Sequence, residues 1–311
     1  MKSCVIIITY NGMQWIDECL KSVLRSEIPL TLIVVDNASS DGTVPHIKTN
    51  FPSVLLLEQS NNLGFGRANN IAMSYALQAE MDYVFLLNQD TSVCENSLEN
   101  LIATAVKYPE YGILSPIQLD YLGDLLEDYF FKFMAKDKSR SFYSDFVLKK
   151  EGKDIYNVDF IQAACWLIPI AAIKKIGGFD PIFFHYGEDN NYCQRMLYHN
   201  LQIGVVADAF IRHDANKHDE DKIDVYSEKY FKLYQKNLMV FYANINEEIN
   251  SSVVKLEKSS IYKGLIISFF TLNYTSVIGL VKKIKVFNAT IKQVIISRQK
   301  NIKSNIHYLD V

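Results

Sequence analysis

Cys4-Val-Ile-Ile-Ile-Thr9-Tyr-Asn11 is the stretch on which the fold turns, and Leu30-Thr-Leu-Ile-Val-Val-Asp36-Asn37 repeats its pattern. The first is an unbroken apolar run, the second is interrupted only by Thr31, and each stops at polar residues. Such a run suits a strand covered on both faces, as in a parallel sheet with helices above and below. A helical stretch around Trp15–Arg25 lies between them, and Ser39-Ser40-Asp41-Gly42-Thr43 supplies turn and N-cap chemistry for the next helix. Ser53–Glu58 reads as a third strand, Asn61–Gly66 as a loop and Arg67–Gln78 as a helix. Tyr83–Leu87 is a fourth strand, halting at Asn88-Gln89-Asp90. Alternating units of this kind predict an α/β fold with a mostly parallel sheet flanked by helices. In open α/β sheets, ligands bind beyond the carboxyl ends of the strands. Thr9-Tyr10-Asn11, Asp36-Asn37 and Asn88-Gln89-Asp90 all fall there, which points to one site.

Working outward, residues 120–157 read as a charged, aromatic insertion that includes Tyr129-Phe-Phe131 and Lys136–Arg140, and it is expected to shape the acceptor side. Phe160–Pro169 is apolar again, Gly177-Gly-Phe-Asp-Pro181 is a turn and Asp189–His199 a helix. Ile203–Ala207 is a strand closing near Ile211-Arg-His213, and Tyr226–Ile245 has helical spacing. The division expected is a domain over 1–220 and a basic helical extension over 221–311. With 49% hydrophobic and 22% charged residues, a large buried core is feasible. Five scattered cysteines without a CxxC pair exclude a disulfide framework or zinc knuckle and suit a reducing cytoplasm. The apolar run at Cys4 is too short for a signal-peptide core and lacks a small-residue cleavage site.

The net charge of −3 conceals an asymmetry. From Lys258 onward there are nine Lys/Arg and one acid, Asp310, leaving 23 basic and 34 acidic residues in the body. The tail is therefore expected to face something anionic. Leu265–Val281 is interrupted by Ser268, Thr271, Asn273, Thr275 and Ser276, too polar for a good spanning helix. It is read as an interfacial helix, with Lys282, Lys283, Lys285 and Lys292 toward anionic lipid. No nucleic-acid partner is expected.

Taken in order, Thr9-Tyr-Asn11, Val35-Asp-Asn-Ala-Ser-Ser-Asp-Gly-Thr43, Asn61-Asn-Leu-Gly-Phe-Gly-Arg-Ala-Asn-Asn70 and Leu86-Leu-Asn-Gln-Asp-Thr91 resemble glycosyltransferase family 2, in its rhamnosyltransferase-like branch. Gly177-Gly-Phe-Asp180, Phe183-Phe184, Tyr186 and Glu188-Asp189 resemble that family's acceptor-side signature. The resemblance runs over roughly residues 4–215. It implies a GT-A fold and an inverting transfer from a nucleotide-diphosphate sugar, dTDP-rhamnose or a UDP-sugar. The acceptor implied is a saccharide or lipid-linked saccharide in surface polysaccharide synthesis, at the cytoplasmic face of a bacterial membrane.

A nucleotide-sugar transferase must read a nucleobase and ribose, neutralise a diphosphate and deprotonate an acceptor hydroxyl. By resemblance, Asp36 accepts hydrogen bonds from base or ribose, while Thr9, Tyr10 and Asn11 line the base. Asn88-Gln89-Asp90 occupies the family's DxD position, so Asp90 is the carboxylate expected to hold Mg²⁺ or Mn²⁺. Asn88 departs from a strict DxD. His213 is implied as a second metal ligand, with Asp214 and His218 as neighbouring alternatives. Asn62, Gly64, Gly66 and Asn70 belong to a loop and helix start where backbone can approach the donor, and Arg67 lies beside them. Gly64-Phe-Gly66 lacks the third glycine of a dinucleotide fingerprint, Asn69 standing there instead. Asp189 is implied as the catalytic base and Glu188 as its acceptor-side neighbour, although both also suit a helix N-terminus. Trp166 and Tyr186 are candidate sugar-stacking rings, with core packing the alternative for Trp166.

Two other classes compete. A sugar-1-phosphate nucleotidyltransferase would want a Gly-rich basic loop, whereas Thr9-Tyr-Asn-Gly-Met13 offers one glycine and no cation. A catalytically silent carbohydrate-binding or assembly subunit would have no use for both Asp90 and Asp189.

Overall fold

The computed structural model describes residues 1–136, 139–215 and 223–310. Its core is a sheet of nine described strands in the order β3-β2-β1-β4-β8-β6-β9-β5, with β7 pairing β9. The parallel half holds β1 (Ser3–Thr9), β2 (Leu30–Asp36), β3 (Leu55–Glu58) and β4 (Tyr83–Asn88). The other half is mixed. β6 (Tyr111–Leu119) runs parallel to β9 (Gln202–His213), but β8 (Cys165–Pro169) is antiparallel to both β4 and β6. The short β5 (Thr91–Val93) and β7 (Ile155–Asn157) run antiparallel to β9. The expectation of a mostly parallel sheet thus holds for the first half, where helices cross over between strands.

β1 shows why its sequence is continuously apolar. Cys4 and Ile6 face one layer, with Ala68, Ala72 and Met73 of α3 (Phe65–Gln78) and with Trp166. Val5 and Ile7 face the other, with Ile16, Leu20 and Val23 of α1 (Ile16–Leu24) and Leu98 and Leu101 of α4 (Ser97–Lys107). Two-residue periodicity sends alternate side chains into two separate cores. The remaining crossover helix of this half, α2 (Thr43–Asn50), begins after Gly42 at φ 95°. There Asp41 accepts from the Thr43 amide at 3.1 Å.

The insertion folds into α5 (Asp128–Met134) and α6 (Ser141–Val147), whose Phe130 and Phe142 pack edge to face in the core. α7 (Ile170–Ile176) and α8 (Glu188–Tyr198) follow β8. The C-terminal region is helical, comprising α9 (Glu228–Tyr242), α10 (Ser251–Phe270) and α11 (Tyr274–Asn301). Its own apolar cluster joins Leu238, Met239 and Tyr242 to Ile261, Phe287 and Val294, with Phe183 as the link to the α8 entry. The stretch Leu265–Val281, expected as one interfacial helix, is two helix ends broken at Thr271–Asn273. Asn273 caps the second by accepting from the Ser276 amide.

The five cysteines are free, and all but Cys94 are buried. Among the described residues no helix is long and apolar enough to cross a membrane.

Candidate active site

The strand register sets the site. Thr9 lies opposite Asp36, and Ile8 opposite Asn88, so β1, β2 and β4 end on one row. Strand order reverses there, with β2 on one side of β1 and β4 on the other, the crevice where open α/β sheets hold ligands. The loops beyond are stitched together. Thr9 Oγ1 donates to Asp36 Oδ1 at 2.9 Å, and the Ser39 amide donates to Asp36 Oδ2 at 2.9 Å. Asn11 sits in the left-handed region at φ 48°, its amide donating to Ser39 Oγ and its Oδ1 accepting from the Ser40 amide. Gln89 Oε1 accepts from the Tyr10 amide at 3.0 Å. Asp36 is only 2% exposed, so its carboxylate both receives these bonds and fixes the rim, while Tyr10 stands exposed.

β5 brings distant residues together. Thr91 pairs with His213 across the β5–β9 ladder, and the Asp214 amide donates to the Asp90 carbonyl at 2.9 Å. As a result, His213 Nε2 lies 3.5 Å from Asp90 Oδ1. His213 Nδ1 is buried without a hydrogen-bond partner among the described residues. Asp214 instead accepts from Trp15 Nε1 at 2.7 Å, and His218 lies outside the described residues.

Asn88, Asp90 and His213 line a cavity of about 1350 Å³ together with Tyr186, Glu188 and Asp189. These two carboxyls, Glu188 and Asp189, stand at the start of α8, entered through Gly187 at φ 98° and Tyr186 at φ 66°. Asp189 Oδ1 accepts from the Asn190 amide at 2.7 Å and from Asn190 Nδ2 at 3.2 Å. Burial raises the Asp189 pKa above the usual carboxylate range. Glu188 is deeper, and its Oε2 has no partner among the described residues. Burial, reinforced by the neighbouring Asp189 charge, pushes Glu188 up to about 7. Burial and then Glu188 likewise raise the Tyr186 hydroxyl. Two adjacent carboxyls that burial has already raised resist double ionisation.

Several expected site residues lie elsewhere. Trp166 is fully buried, stacked against Phe179 at 6.3 Å and Tyr192 at 5.9 Å, so it is core and no sugar can reach it. Asn70 faces away from the cavity. Its Nδ2 donates to the Phe179 carbonyl at 2.8 Å and its Oδ1 accepts from the Phe179 amide at 2.7 Å, clamping the Gly177–Asp180 turn to α3. Gly64 and Gly66 admit protein where a donor was expected. A Cβ on Gly64, at φ 81°, would lie 2.0 Å from the Phe184 carbonyl oxygen, and one on Gly66 would lie 2.9 Å from Phe179 Cβ. Asn62 holds the same loop, its Oδ1 accepting from the Gly64 amide at 2.8 Å. Arg67 Nη2 donates to the Pro181 carbonyl at 3.1 Å.

Other cavity residues escaped the sequence reading. Tyr129 and Phe133 come from the insertion, Lys236 and Asn237 from α9, and Arg298 from α11. The expected acceptor-side place of the insertion covers the first two as a segment, and no signal marked the residues from α9 and α11.

The donor set of Asp90 and His213 fits a divalent cation: one carboxylate oxygen and one imidazole nitrogen face each other from a cavity wall. Among the described residues no group of three or more His, Cys, Asp or Glu side chains converges. A cation here would keep positions for ligand oxygens, and an imidazole ligand favours Mn²⁺ over the oxygen-seeking Mg²⁺.

Comparison with known proteins bears on the family and the fold. Residues 4–177 match the family model described as glycosyl transferase family 2. The N-acetylglucosaminyl-diphospho-decaprenol L-rhamnosyltransferase of Mycobacterium tuberculosis is 26% identical over 217 residues, 62% of this chain and 69% of the relative. Crystallised S. aureus TarS 1-349 in complex with UDP superposes with a TM-score of 0.55 at 16% identity, over 97% of this chain and 88% of that one. The mannosyltransferase PcManGT from Pyrobaculum calidifontis, in complex with GDP-Man and Mn²⁺, gives 0.54 at 15% identity, over 97% and 87%. The architecture is that of GT-A glycosyltransferases.

Proposed function

The chain belongs to glycosyltransferase family 2 and is a glycosyltransferase, and from that premise we propose an inverting, metal-assisted transfer with Asp189 as base. The observation that carries the proposal is one cavity lined by Asn88, Asp90, His213 and Asp189 together. The nucleoside diphosphate of the donor is placed along Thr9–Asn11, Asp36 and Asn88. Relatives named as rhamnosyltransferases support a rhamnosyl donor, which the proposal takes as dTDP-rhamnose, with UDP-sugars next. The acceptor is proposed to be a lipid-linked saccharide in surface polysaccharide synthesis, met by a protein peripheral to the inner face of a bacterial membrane. The division between transferase body and extension is kept at 220/221, outside the described residues, and α9 and α11 of the extension contribute to the cavity.

Asp90 and His213 would hold Mn²⁺ or Mg²⁺, which supplies charge neutralisation to the diphosphate when bound. Asp189 has one oxygen committed to Asn190, and its other oxygen takes the proton of the acceptor hydroxyl. The acceptor oxygen bonds to the anomeric carbon as the carbon–oxygen bond to the diphosphate breaks, with the electron pair leaving on phosphate. One displacement inverts the anomeric configuration, and general-base assistance of this kind contributes roughly 10²–10⁴-fold. Burial raises both carboxyls, so the pair shares its charge, and the proposal puts that charge on Asp189. Tyr186, 52% exposed beside the carboxyls, offers a ring face to the acceptor.

A donor-binding panel tests this, running dTDP-rhamnose, UDP-glucose, UDP-galactose and UDP-GlcNAc with Mn²⁺ or chelator. One donor is expected to bind with metal, and Asp90→Ala and His213→Ala to weaken it. Binding indifferent to chelator and to both substitutions would remove the metal from the proposal.

A further inference from the structure

The helical extension ends in an exposed apolar hairpin. α10 runs to Phe270, Leu272 turns the chain at φ 55°, and α11 leaves from Tyr274. The two helices pack closely below the turn, with Gly264 of α10 beside Leu280 of α11. At the tip Ile266, Phe269, Phe270, Leu272, Tyr274 and Ile278 are 56–79% exposed. The rest of the chain covers none of them substantially, and contiguous apolar surface of this kind marks an interaction site.

The charge around the tip identifies the partner. Lys263 stands seven residues before Phe270, while Lys282 and Lys283 stand eight and nine after Tyr274. At 1.5 Å per residue this sets a basic collar about 10–14 Å behind the turn, at similar depth on both helices. Lys263 is exposed. Lys282 pairs with Glu228 at 2.5 Å and lies over Phe231, and Lys283 lies over Tyr230 and Tyr234, so the collar is braced against α9. From Lys258 onward the only acid is Asp310, whose amide is bound to Ser74 Oγ, away from the hairpin turn. An apolar tip backed by cations and lacking acids complements an anionic bilayer, with rings among acyl chains and lysines at the phosphates. Amphipathic elements enter this boundary by about 5–10 Å, within the reach of the tip above its collar.

We propose that the α10–α11 hairpin enters an anionic bilayer interface tip first, a different posture from a helix lying flat. The proposal deepens the peripheral membrane contact put forward above, and it is measured without donor or acceptor. Failure here therefore leaves the transferase chemistry standing.

The test is co-sedimentation of the full chain with vesicles of phosphatidylglycerol and phosphatidylcholine, against phosphatidylcholine alone. Salt-sensitive binding to the anionic vesicles is expected, with a loss of about tenfold or more on Phe269→Ser together with Phe270→Ser. A second variant, Phe270→Trp, keeps the tip apolar and reports depth. Its fluorescence should be quenched by lipids brominated along the acyl chains. The proposal is overturned if the natural chain ignores anionic vesicles, or if the double variant binds them equally well. It is also overturned if the tip instead joins two copies, seen as a dimer that the double variant abolishes while vesicles are ignored.

Discussion

Replacing Glu188 by Gln tests the electrostatics of the cavity in a quantity that does not depend on the substrate. The side chain is 5% exposed, and its Oε2 has no partner among the described residues. Burial and the Asp189 charge move its pKa from 4.5 to about 7. The native state therefore holds this proton more tightly than the unfolded chain does. Native stability is accordingly lost as the pH rises from 4.5 toward 7, and the full penalty applies above. At about 1.4 kcal/mol for each tenfold change in proton affinity, the penalty is on the order of 3 kcal/mol. Glutamine stays neutral at every pH and escapes it. Urea unfolding should find Glu188→Gln close to the natural chain at pH 5 and more stable by up to about 3 kcal/mol at pH 8. Glucose- or rhamnose-transfer activity near neutrality should persist, since the amide mimics the protonated acid. A stability difference independent of pH would refute the reasoning.

Asp180→Ala removes a buried carboxylate that accepts from Ser297 Oγ at 2.6 Å, Asn301 Nδ2 at 2.8 Å and Tyr308 OH at 3.1 Å. It should cost about 3 kcal/mol by stranding these donors, measured by urea unfolding. Gly64→Ala, at φ 81° and 2.0 Å from a backbone oxygen, should cost at least about 2 kcal/mol and lower kcat by displacing the α8 entry. Trp166→Phe should lower stability by about 1–2 kcal/mol and leave the KM for acceptor unchanged, as a core ring would. Burial raises the Asp189 pKa, so the acid limb of the kcat profile should fall at a higher pH than an ordinary aspartate gives.

The parallel half of the sheet was legible because strands buried on both faces write mostly apolar runs, as Val5–Ile8 and Leu32–Val35 do. Polar residues at the ends of those runs fall on one row of the sheet, the region proposed as the site. Individual roles were harder to read. A glycine needed for close approach looks the same whether ligand or protein approaches, and Gly64 meets Phe184. A buried aromatic and a sugar platform share one residue type, and Trp166 proved to be core. The antiparallel β8 was hidden because its five residues follow a long insertion whose return direction no local pattern encodes. The hairpin at Thr271–Asn273 was hidden likewise, since its exposed rings blend with the helices on either side. The meeting of Asp90 with His213 came by resemblance; the β5–β9 pairing supplies the physical cause.

Asp189→Asn, assayed side by side for donor binding and for sugar transfer, tests the central claim most directly. Donor affinity should stay within a few-fold while transfer falls by roughly 10²–10⁴-fold, the share expected of a general base. Transfer at the natural rate with the asparagine in place would contradict the assignment of Asp189 as the base.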